Sequence, residues 1–171
     1  MVNAHPQERL RAYLPLADAV TAWQKLGHCD PRRSADWRVY YFATLALLRA
    51  VGHVLHKVDA KTWPSASGQI NEAYARWNLG KGEDALFPHF IDSERNLLVK
   101  EYRRGCEPEE AIDCPVLMVD GRKRPDITSM PVVFFEGGHF DGEPVESLIA
   151  RSVEWWILEL EKIEDGMAGT Q

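Results

Sequence analysis

No apolar run in this 171-residue chain approaches the ~18 residues needed to span a bilayer, so no membrane segment is expected. The opening MVNAHPQERLRAYLP lacks the apolar core of a secretion signal. Cysteine is scarce: Cys29, Cys106 and Cys114 are an odd set without metal-ligand spacing. Chain size excludes a small disulfide scaffold, and this cysteine set points to free thiols in a reducing, cytoplasmic setting. Basic charge is in short supply, with 20 Lys and Arg against 26 Asp and Glu and a net charge of −6, which argues against a coat for duplex nucleic acid. Internal repeats and low-complexity tracts are absent. So are a glycine-rich phosphate loop and a G-x-S-x-G nucleophile motif, and no cofactor is expected.

What remains is a globular composition, 45% apolar and 27% charged, sufficient for one domain over 1–171. The segment around Leu10, Leu14, Ala17, Val20 and Trp23 has helical spacing. Pro15 predicts a short turn before it and the main helix after it, ending near Gly27. A second helix is expected over 36–59, capped by Ser34 or Asp36, with a stripe from Trp37 through Leu48 and Val51 to Leu55. After TWPSASG a shorter helix is expected over 68–78, with Ile70, Ala73, Tyr74 and Trp77 on one face. A third long helix should run over 84–105, its start set by Pro88 in the first turn. A last helix is expected over 144–165, with Trp156 in its core stripe and Trp155 beside it.

Between the last two long helices the patterning changes. VLMV (116–119) and PVVFFE (131–136) read as short strands, CEPEEAIDC as a polar turn, and His139–Phe140 as the place for a third strand. The fold class that follows is mainly α: an up-and-down four-helix-type bundle, with a small antiparallel β-hairpin insertion (106–143) before the last helix and a disordered tail over 166–171.

The segment richest in chemistry is FPHFIDSERNLLVKEYRR. Glu94 and Arg95 fall where the stripe between Ile91 and Leu98 calls for apolar residues, and buried charges need partners. Both are expected to point into a groove between the second, third and fourth helices, with Glu94 orienting the guanidinium. On the second helix Arg49, His53 and His56 form an i, i+4, i+7 line that faces them in this arrangement. His53 and His56 could also share a metal with Glu94 or Asp92, although the Glu-x-x-His pairs of di-iron bundles are absent from the long helices. The basic run Arg122, Lys123, Arg124, with Lys100, Arg103 and Arg104, is the best local patch for phosphate or an acidic partner.

Arg95-Asn96 within IDSERNLLVKEY, together with the order of helices, resembles HEPN-family domains. The resemblance implies an α-helical bundle, commonly dimeric. It also implies an Arg-polar pair that in many members is followed after about four to six residues by a catalytic His. Here the matching positions carry Lys100, Glu101 and Tyr102. The reading is therefore a non-catalytic binding or regulatory module, a homodimer with an RNA or protein partner. The alternatives are a metal-independent ribonuclease, with Arg95, Asn96 and Glu94 catalytic and a relocated His or Glu101 as base, and a metal-binding enzyme built on His53 and His56. Trp155 or the β insertion is expected to form the dimer surface.

Overall fold

The structure, a computed structural model, describes residues 9–108 and 132–168. The expected strand at 116–119, Cys114 and the Arg122–Arg124 run lie outside the described residues, as do residues 169–171 of the tail. The fold is mainly helical, with helices α1 (Tyr13–Leu26), α2 (Ala35–Val54), α3 (Ser67–Leu79), α4 (Ser93–Glu101) and α5 (Val145–Ala168). Strands β1 (Cys106–Pro108) and β2 (Val133–Phe135) pair antiparallel, Cys106 opposite Phe135. Among the described residues no helix is long and apolar enough to cross a membrane.

Local chemistry accounts for most of the boundaries. Ser34 caps α2, its hydroxyl accepting from the Asp36 N–H at 3.1 Å. Gly80, left-handed at φ 61°, ends α3. Pro15 sits within the first turn of α1, where its missing N–H costs nothing, so the helix begins before it rather than after. The α1 N-terminus has no local side-chain cap. Instead Asp59 reaches across from the end of the second helical run and accepts from the N–H groups of Arg11 and Ala12, both at 3.0 Å.

Three expectations about helices need correction. The face of α1 that is buried runs through Leu16, Ala19, Ala22 and Leu26, while Leu14 and Ala17 are exposed. Small alanines face the core because α1 packs closely along α2, which larger side chains would prevent. The third long helix is not continuous. A 3₁₀ turn (Gly82–Ala85) and a π-helical segment (Phe87–Asp92) precede α4, and Pro88, which cannot donate to the helical ladder, lies at the start of the π segment. Its end falls at Tyr102, left-handed at φ 53°, rather than at Gly105. A π segment also follows α2, over Leu55–Asp59.

In the β region, PVVFFE supplies β2 as expected, but its partner is Cys106–Pro108, a segment read from sequence as a turn. His139–Phe140 belongs to a 3₁₀ turn (Gly138–Phe140), not a strand. Residues 166–168 continue α5 instead of starting a loose tail.

The core is shared by all five helices. Trp37, Leu48, Leu55, Ile91, Leu98 and Trp156 are all buried, as their stripes predict. Its centre is aromatic: Trp77 meets Trp156 edge-on with ring centroids 5.0 Å apart, and Phe87, Tyr74 and Trp155 surround them. Trp156 comes so near α2 that a Cβ on Gly52 would lie 3.0 Å from its ring. Trp155, expected at the surface, is buried against Trp77, and its indole N–H donates to Asp84 at 3.1 Å. The motive for a dimer through Trp155 is thereby removed. Leu98, buried beneath α4, should cost ~2–5 kcal/mol when truncated to Ala. Urea unfolding checks this, and a loss inside the surface range of ~0.5 kcal/mol would mean that α4 does not pack where it is described.

Candidate functional site

Two contacts fix how α2 and α4 run past each other. Arg49 Nε donates to Asp92 Oδ1, and the Arg38 guanidinium lies 5.5 Å from the centre of the Tyr102 ring. As numbers fall along α2 they rise along α4, so the two are antiparallel. A polar relay crosses this seam. Asp92 takes Arg49 on one oxygen and the Asn96 amide on the other (Nδ2 to Oδ2, 3.0 Å). The Asn96 Oδ1 in turn accepts from Arg95 Nη1 at 2.9 Å. Asp92 and Asn96 are i, i+4, and therefore on one helical face. On its other side Arg49 covers the Phe87 ring at 5.2 Å and reaches the Tyr74 hydroxyl at 3.5 Å. Tyr74 stacks on His56, with centroids 4.9 Å apart and planes 14° from parallel.

Arg49, His56, Arg95 and Asn96 thus belong to one connected cluster, joined through Tyr74 and Asp92. His53, a neighbour on α2, is exposed and stands apart from it. Glu101 is exposed and pairs with Arg103 at 3.3 Å. His89 is exposed and stacks on His139, with centroids 5.1 Å apart. Arg95 is half-buried and pairs with no carboxylate among the described residues. The sequence pattern missed Tyr74, which read as a core residue, and the role of Asp92 in orienting Asn96. The i, i+4 spacing of Asp92 and Asn96 was the available signal.

Glu94 does not share the groove with Arg95. It points inward and is buried, with Oε1 accepting from the Gly105 N–H at 2.7 Å. Adjacent helical residues point about 100° apart, so the pair divides between core and seam. The guanidinium is oriented by Asn96, not Glu94. Gly105 is glycine for a steric reason, since a Cβ there would fall 2.7 Å from Glu94 Oε2. That second oxygen has no hydrogen-bond partner among the described residues. Burial raises the Glu94 carboxyl above its ordinary value of 4.5, against the Gly105 N–H and the Arg104 charge, which lower it. Burial, then Cys106 and Glu94, hold the Tyr41 hydroxyl well above its usual range.

A cleft of about 570 Å³ lies elsewhere, between α3, the 82–85 turn and α5. Of the residues singled out from sequence it contains Trp155 alone, and none of the charged or histidine candidates. Its central charges satisfy one another: Arg76 bridges Asp84 and Glu159, and Lys162 donates to Glu159 at 2.8 Å. Among the described residues, no three His, Cys, Asp or Glu side chains gather as a metal site, so His53 and His56 find no further donors there. Compared with known proteins, the chain matches no family model, no curated protein and no solved structure.

The Glu94 carboxyl gives a pH prediction. Its value in the folded state lies above its ordinary 4.5, so the protonated form is the one folding favours. Its contribution to stability is complete below 4.5 and is lost as pH rises through the raised value. Asp59 is raised too, by burial outweighing its two backbone donors, and acts in the same direction. Glu94→Gln should raise the melting temperature at pH 7, and the gain should shrink as the pH approaches 4.5. A loss at pH 7 that shrinks as the pH falls would show instead that the ionised carboxylate is what the fold needs.

Proposed function

We propose that this chain is a non-catalytic, HEPN-like binding module whose anchor for an anionic group is Arg95. The observation that carries the reading is the state of that guanidinium. It is half-buried and held through Asn96, Asp92 and Arg49, yet no carboxylate neutralises it among the described residues. A planar cation fixed in this way is suited to phosphate or carboxylate.

Cleavage of RNA by the same face requires a proton-transfer group at the phosphate that Arg95 holds. His56 and Arg95 occupy opposite ends of the relay. Seven residues of α2 and its π continuation separate Arg49 from His56, and three residues of α4 carry Arg95 the other way. At 1.5 Å per residue that is roughly 15 Å along the seam. No histidine contacts Arg95 among the described residues, and Glu101 is occupied by Arg103. These placements favour binding over catalysis.

The test pairs a binding measurement with an activity measurement. Titration with inorganic phosphate should move the Arg95 Nε–H resonance in nitrogen-15 NMR spectra, and single-stranded RNA incubated with the protein should remain intact. RNA cleavage that disappears in Arg95→Ala would make the chain a nuclease instead. An unmoved Arg95 resonance would remove the anchor.

A further inference from the structure

The α2/α4 seam continues beyond the relay as a surface of a different character. Between the Arg49–Asp92 pair and the Arg38–Tyr102 contact, the antiparallel register places Phe42 beside Val99. Each is exposed in part, Phe42 38% and Val99 50%, and Tyr102 at the end of the strip is 73% exposed. At its two ends stand Arg38 and Arg95, and neither pairs with a carboxylate among the described residues. A chain of net charge −6 therefore carries an apolar strip bracketed by unneutralised arginines. Exposed apolar side chains gathered in this way mark an interaction surface.

We infer that this face docks an acidic amphipathic helix of a partner protein. The strip lies along two packed helices, and such a face can receive a third helix through i, i+3/i+4, i+7 anchors. From position 38 to the level of Arg95, opposite position 46, it is roughly 12 Å long, about two turns. Charge complementarity selects the occupant: glutamates or aspartates flanking the apolar anchors meet Arg38 at one end and Arg95 at the other. Single-stranded nucleic acid is the poorer fit, because it needs a continuous cationic groove with aromatic platforms. Here the centre is aliphatic and aromatic together, and the charges stand only at its ends. The inference rests on Arg95 as an anion anchor and adds the class of partner.

The experiment uses the full chain and a labelled helical peptide of about 18 residues, five turns, with leucines at i, i+3, i+4 and i+7 flanked by glutamates. A control peptide carries lysines in place of the glutamates, and an oligouridylate is the third probe. The acidic peptide should bind at least about tenfold tighter than the lysine control. Val99→Glu and Arg38→Glu should each weaken it about tenfold with the melting temperature unchanged, since both positions are on the surface. Equal binding of the two peptides, no binding of either, or an unaffected Val99→Glu variant overturns the inference. So does tighter binding of oligouridylate, or self-association in sedimentation that Val99→Glu abolishes, which would give the face to a second copy. The phosphate titration separates the two readings. If the Arg95 resonance still moves when the acidic peptide fails, the anchor stands and the docking surface does not; if neither responds, both fall.

Discussion

The indole N–H of Trp77 donates to Glu159 across 2.7 Å, inside the core. A carboxylate so placed needs its charge answered, and Arg76 and Lys162 supply the answer from the rim. This one acid therefore locks α3 to α5 in both position and rotation. The two cations are half-exposed, so water screens their share of the pairing, and the buried Trp77 N–H is the partner that Glu159 can least replace. The consequences extend to the seam. With Trp77 turned inward, Tyr74, one turn earlier on α3, is directed towards α2, where it stacks on His56 and meets Arg49. The relay through Asp92 and Asn96 to Arg95 begins there.

Buried acids recur in this fold, and each is answered differently. Asp59 receives two backbone N–H groups and serves as a distant cap for α1, which has no cap of its own. Glu159 receives an indole and two cations. Glu94 receives a single backbone N–H from Gly105 and leaves one oxygen unpaired. Only the last is under-satisfied. It stands where the chain leaves α4 and turns into β1, and the Gly105 carbonyl there also accepts from the Glu136 N–H at 2.7 Å. The carboxyl thus holds the exit of α4 against the β pair, at an electrostatic cost that protonation relieves.

The sequence made the helices legible where one apolar stripe persisted, as in α2 and α5, because burial of a long face overrides local preference. It misled where small residues carried the packing. In α1 the larger Leu14 drew the stripe one step round, while the small Ala19 and Ala22 are the buried residues of a helix that packs along α2. It misled again at Pro88, where a smooth 3–4 spacing from Phe87 to Leu98 conceals a π segment. Strand pairing was half legible: VVFF declares itself, but CEP does not, since its place in the sheet comes from the Gly105–Glu94 bond and not from its own composition. For the candidate site, the charged interruption at positions 94 and 95 was visible. Its division into an inward acid and an outward cation follows from the turn of the helix about the core, and the partners that decide it, Gly105 and Asn96, are ordinary in sequence.

The charges along the relay bear directly on the proposed binding role. Arg49 and Asp92 cancel, and the Asn96 amide carries orientation from that pair to Arg95 without carrying charge. One positive charge is left, at the end of the chain nearest Phe42 and Val99. Asp92 is engaged on both oxygens, so it is poorly placed to accept a proton from a substrate. His56 is committed to the Tyr74 ring at the far end. Among the described residues this face has a fixed cation and apolar area and no histidine in contact with Arg95, an arrangement that supports the proposed recognition role.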